Sequence, residues 1–290
     1  MNWIAPKSSV TNWQLLLSLT LIEIVLRPAG PWTIRPFILA LACAGLIFSS
    51  IQRTPLFWLS LFGLIGARII ADWPAPDNHI YLLAYWCLLI CLSLRSPDSE
   101  FTLRTGGRLL IGFAFLLAAL WKAFLSPDYT DGRFFRVTFL TDERFASTSM
   151  LIGGLTKEQL NENREYLTPL SHGAELLNPP KLVEPRRLRA FATAATWSAL
   201  LLESAVAFFF LFPGKRIVER LRHFVLLLFC LVTYPFAPVA GFGWLLLIIG
   251  LSQCHPDQRA LKIIYICGYF LILFFAEIPW AGAILEVTNQ

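Results

Sequence analysis

Apolar residues fall in long blocks along this chain, separated by short polar stretches that carry Pro, Gly and Arg. A block of about 20 apolar residues, rising about 1.5 Å per helical residue, has the length of a membrane crossing. The blocks that fit are 12–27, 35–51, 55–71, 79–95, 107–126, 188–212, 217–235, 239–253 and 262–280. They predict an all-α, polytopic transmembrane helical bundle of about eight or nine membrane segments, one domain over residues 1–290. Several blocks are short, so some helices are expected to tilt or to be sheltered by neighbours.

Only 127–187 is long and polar, and it is expected as a loop between the fifth and sixth spans. Within it, GLTKEQLNENREYL pairs Thr156 with Gln159 three residues on, the pattern of a capping box, so a short helix is predicted there. RFFRVTFL (133–140) spaces its apolar residues as a helix does. An interfacial helix is the first expectation for it and a lid over an outer cavity the second. The stretch 224–252 is interrupted at TYPFAPVAGFG. It forms either two spans, the first starting back at Ile217, or two half-helices that dip in and out.

Charge then orients the blocks. Lys7, Arg53, Arg95, Arg104, Arg108, Lys215, Arg216, Arg220, Arg222, Arg259 and Lys262 put eleven basic residues on one side. The short loops opposite hold two, Arg27 and Arg35. Cytoplasmic loops carry the basic excess, which places the amino terminus in the cytoplasm and the carboxyl terminus and 127–187 outside a cell membrane. Composition agrees: 56% of the 290 residues are hydrophobic and 15% charged, against about 25% charged in soluble domains. The formal charge of +5 is spread over short loops, which is no nucleic-acid footprint. The bilayer is the expected environment. A lipid-soluble small molecule and a membrane-protein partner are possible further contacts.

Leu15–Leu26 is expected to stay as the first span, since Glu23 interrupts it and no A-x-A site follows. Cys87 and Cys91 share a helix face, but no acid or His joins them, so they read as buried thiols. No metal spacing, phosphate loop, G-x-S-x-G or cofactor fingerprint occurs.

A few polar residues stand out against this background. Lys122 sits near the outer end of its span after Ala118, Ala119 and Trp121. It is either a snorkelling anchor or an amine facing the bundle, where desolvation would make it a base. Asn78 and His79 lie at the outer start of the preceding span, with Pro76-Asp77 as turn and cap. Helices adjacent in sequence usually pack side by side, so Lys122 and His79 are expected to meet at similar depth. Glu203 is deep in its span and needs a partner, a cavity or a proton. Arg68 is its obvious candidate partner. Glu23 and Glu277 read as solvated helix ends. His223 begins a span beside Arg222, where a headgroup contact is the simpler reading. Tyr234 belongs to the Pro/Gly break, and unwound backbone at membrane depth must be buried or line a wet cavity.

Asn78-His79-Ile80-Tyr81-Leu82 resembles the N-H-x-Y-L motif of the vitamin K-dependent gamma-carboxylase and its bacterial relatives, the horizontally transferred transmembrane (HTTM) domain proteins. Ala118-Ala119-Leu120-Trp121-Lys122, followed by Asp128-Tyr129 and Gly132, is similar to that family's lysine region. Glu203, and His223 with Gly241-Phe242-Gly243-Trp244, could occupy later positions. The resemblance implies that Lys122 is an amine base working with a reduced quinone and that His79 stabilises an oxyanion nearby. Asn78, Glu203, His223 and Tyr234 would contribute to binding. The family's carboxylase has a large extramembrane carboxyl-terminal domain, whereas this chain stops soon after its last block, so a smaller reaction, or none, is expected. Three functional classes stay open from sequence: an HTTM-type membrane enzyme, a small-solute carrier, and an assembly subunit for another membrane protein.

Overall fold

Main-chain hydrogen bonds have no water to turn to in an apolar block, so such blocks become helices. A computed structural model describes residues 7–27, 30–73, 78–167, 172, 181–212, 216–235, 239–255, 257–277 and 280–288, and among them there is no strand. The expected Pro76-Asp77 cap, the Glu277 side chain and Pro179-Pro180 lie outside the described residues. The helices are α1 (Lys7–Leu26), α2 (Arg35–Ile47), α3 (Pro55–Ala71), α4 (Asn78–Arg95), α5 (Ser99–Leu120), α6 (Pro127–Thr130), α7 (Arg133–Thr141), α8 (Ala146–Leu151), α9 (Lys157–Leu167), α10 (Arg186–Leu211), α11 (Arg216–Thr233), α12 (Ala240–Ser252), α13 (Arg259–Glu277) and α14 (Trp280–Thr288).

Among the described residues, three stretches are long and apolar enough to cross a membrane: Asn78–Arg95, Ser99–Leu125 and Arg186–Leu211. Shorter apolar stretches are Trp13–Leu26, Arg35–Ile47, Pro55–Ala71 and Gly241–Ser252. The last of these belongs to α12, whose 13 residues reach only about 20 Å, short of a bilayer core of about 30 Å. It need not match, because other helices enclose it. Trp244–Ile249 are almost wholly buried, and α12 packs on α1, α4, α5, α11 and α13. The broken segment is therefore two helices, the second a central post. A helix that is apolar all round belongs in this position.

α5 begins earlier than its apolar block. Asp98 caps it by accepting a hydrogen bond from the Phe101 amide at 2.9 Å, so Ser99–Gly106 is helical. The connection from α4 shrinks to residues 96–98, and Arg104 and Arg108 lie on the helix and not in a loop. α14 also lies beyond the last predicted block.

The described residues of the 127–187 stretch form a helical cap. The predicted capping box is present: the Thr156 amide donates to Gln159 Oε1 at 3.0 Å, and the Gln159 amide donates to Thr156 Oγ1 at 3.2 Å. α7 buries Phe139 and Leu140 in a second core with Phe145, Leu155 and Leu160, so its apolar face serves cap packing. α10 supplies Leu188 and Ala192 to that core. Its 26 residues span about 39 Å, enough for one end to join the cap while the rest packs along α5. Glu184 closes the cap. Arg136 grips it with a two-pronged contact, Nη2 to Oε2 at 2.7 Å, and Arg189 Nη2 reaches Oε2 at 3.0 Å.

Candidate functional site

Lys122 lies in a π-helical turn, Trp121–Leu125, that continues α5. Such a turn holds an extra residue and re-aims the side chains around it, and it recurs at functional sites. Here the Lys122 side chain is directed toward α10, where its Nζ donates to Glu203 Oε1. The two side chains are 25% and 11% exposed. The ammonium also lies 4.9 Å from the centre of the Tyr129 ring, a cation–π contact from the short α6. Burial, with the Glu203 charge adding to it, pushes the Tyr129 phenol well above its ordinary range. The ring acts as a floor under the amine and is no source of protons.

The expected Arg68–Glu203 pair does not form. Arg68 Nε bonds Asp72 at 3.3 Å, one turn along α3, which packs on α4. A cation at a helix end meets a carboxylate of its own terminus before one on a distant helix. The expected solvated Glu23 is also corrected, as its side chain is 2% exposed and Oε2 has no hydrogen-bond partner among the described residues. Arg27, one turn further, does not reach it, and its guanidinium lies 5.3 Å from the Trp244 ring centre.

Lys122, Glu203, Asn78 and His79 all line one cavity of about 1010 Å³. Its walls are otherwise mostly apolar, running down α4 through Tyr81, Tyr85 and Leu92 against α5. The α4 wall covers about 20 Å between residues 78 and 92. The polar groups are gathered at one end. His79 reaches this end because Gly241 has no side chain: a Cβ there would lie 3.3 Å from His79 Cδ2 and Nε2. Glu203 Oε2 is buried with no hydrogen-bond partner, so the carboxylate keeps an acceptor in reserve beside the lysine.

Tyr234 and His223 are placed elsewhere. Tyr234 is buried over Gly243, and its hydroxyl has no partner among the described residues. His223 is buried, with Nδ1 2.8 Å from the Tyr265 hydroxyl, so it meets a neighbouring helix and not lipid headgroups. Cys87 and Cys91 are buried thiols, whereas Cys43 and Cys267 are exposed. The described residues contain no His, Cys, Asp and Glu cluster able to hold a metal. Sequence reasoning missed the role of Tyr129 in the site, although Asp128-Tyr129 follows Lys122 closely. No family model matches the chain, and no curated protein or solved structure is detectably similar to it.

Chemically, the pair can share a proton. Moving one proton from Nζ to Glu203 turns an ion pair into a neutral amine and a neutral acid, with no net charge created in a region of low dielectric. A base can thus be made from the lysine without stripping it of its partner.

Proposed function

We propose that this chain is a multipass membrane enzyme of the HTTM type. In this reading Lys122, with Glu203, removes a proton from the hydroxyl of a lipid-soluble hydroquinone seated along α4 and α5. One observation carries the reading: a long apolar cavity ends in an amine, a carboxylate and an imidazole that face the same space. The apolar walls suit the tail of a lipid-soluble molecule and the polar end suits its head. Lys122 takes the proton, Glu203 holds the one the amine gave up, and His79 donates a hydrogen bond to the oxygen left behind.

The chain has eight or nine membrane segments in this account, with the amino terminus cytoplasmic and the cap outside. What supports the sidedness, besides the basic residues, is that carboxyl-terminal α14 packs on α8 of the cap, as a shared side requires.

Binding is tested with a short-chain naphthoquinone, which quenches nearby tryptophan. Trp121 lines the cavity. Saturable quenching should disappear in Trp121→Phe. It should weaken in Leu117→Trp/Trp121→Phe, read by displacement, because the added indole fills the cavity. Quenching that is unsaturable, or equal in all variants, would overturn the reading.

A further inference from the structure

Two arginines share a face of α5 at the end remote from Lys122, and a third lies on α11 within electrostatic reach of one of them. Arg104 and Arg108 are one helical turn apart on one face, about 27 and about 21 Å along the axis from Lys122. Between them Gly107 lets α12 approach, since a Cβ there would lie 2.9 Å from Gln253 Nε2 and 3.1 Å from Ser252 Oγ. The third, Arg222 of α11, is 6% exposed. Its Nε donates to the Phe209 carbonyl at 3.1 Å, near the end of α10, its guanidinium lies 5.6 Å from the Phe210 ring centre, and its charge lies within electrostatic reach of both Arg108 and Glu219.

None of the three forms a salt bridge among the described residues. Among the described residues, Arg104 Nε and Arg108 Nε have no hydrogen-bond partner, although both residues are themselves only half-buried. Arg104 lines a small cavity of about 140 Å³ with Glu100, Ser252 and Lys262, so one carboxylate faces two cations there. Guanidinium groups gathered in a poorly solvated place repel one another, and their unmet donors carry a desolvation cost. Arginines that serve only as orientation signals need neither burial nor proximity to one another. Arg53, Arg95, Arg220 and Arg259 are exposed, as that role requires.

We propose that Arg104, Arg108 and Arg222 form a binding site for a phosphate group, supplied by the headgroup of an anionic phospholipid at the cytoplasmic surface. A guanidinium fork matches two phosphate oxygens, and the missing partner is an anion. A cavity of this size suits a headgroup phosphate at its edge and excludes a nucleotide. The site stands independently of the Lys122 reading.

The test is thermal unfolding of the full-length protein in neutral detergent, titrated with phosphatidylglycerol, with phosphatidylcholine, or with inorganic phosphate. Phosphatidylglycerol should raise the melting temperature saturably and phosphatidylcholine should not. Arg104→Gln/Arg108→Gln should weaken the apparent affinity at least about tenfold, the loss of one charge-assisted contact. Arg53→Gln/Arg95→Gln should leave it unchanged. An equal rise with inorganic phosphate supports the site and assigns it to a free phosphate. Should the first double variant fail to fold, Arg104→Gln alone carries the same expectation. Equal stabilisation by both lipids, or equal loss in both charge-matched variants, overturns the proposal.

Discussion

Lys122 and Glu203 are 81 positions apart, and their contact decides what either can do. Removing one member of a buried pair strands the other charge, which costs about 3 kcal/mol. Lys122→Met and Glu203→Leu should each lower unfolding stability by roughly that much. The double variant should recover most of it, because an apolar pair of similar volume suits the site. Chemical unfolding in detergent reads the cycle, and additive losses would show that the two residues are energetically independent. The position of Lys122 and His79 at one end of a shared cavity was legible from sequence, since both sit at neighbouring helix ends. The pairing of Glu203 was not, because nothing local marks a contact between distant helices. Glu23 misled for a related reason: its place near the end of its block suggested a wet helix end, but neighbouring helices bury it. A neutral amide of the same shape can replace a carboxyl with no cation partner. Glu23→Gln should therefore keep the melting temperature within a few degrees, and Glu23→Lys should lower it far more.

At the scale of elements, helix ends written in polar residues were more legible than helix ends written in apolar ones. The Thr156–Gln159 box stands as its sequence implied, whereas α5 was truncated by attention to apolar residues, although Asp98 marks its true start. The π turn at Lys122 has no sequence signature, since it depends on how α5, α6 and α10 pack. The close approach of α4 to the start of α12 rests on Gly241. Gly241→Val should displace His79 and weaken naphthoquinone binding about tenfold or more, with little change in helix content by circular dichroism. The cap should also respond to acid. Burial works against the charged form of Glu184, but hydrogen bonds from Arg136 and Arg189 prevail and hold its carboxyl below the usual carboxylate range. A lowered folded value means that this stability is present above the ordinary carboxylate pKa and is lost as pH falls through the folded value. Hydrogen exchange of α7 amides should quicken in that acid window, and Glu184→Gln should remove the dependence.

For the whole molecule, the bundle presents different chemistry at its two ends: a lysine–glutamate pair beneath the cap, and arginines that form no salt bridge among the described residues at the far end of α5. The general class was legible because composition and block length leave few alternatives to a helical membrane protein. The number of crossings was less so, because an enclosed helix such as α12 is freed from the length rule that the pattern relies on. Cysteine placed at exposed Glu158, in a chain stripped of native cysteines, should react with an impermeant thiol reagent on intact cells. Reaction only after lysis would reverse the proposed orientation. The central claim is that the Lys122–Glu203 pair deprotonates a hydroquinone held in the cavity. Its direct measure is oxygen uptake by purified protein given a short-chain naphthoquinol, whose deprotonated form passes two electrons to oxygen, yielding the quinone and hydrogen peroxide. Wild-type protein should speed uptake above the protein-free rate. Lys122→Arg, equally stable and still able to quench with the naphthoquinone, should not, because a guanidinium keeps its proton. Equal uptake by the two proteins would contradict the account.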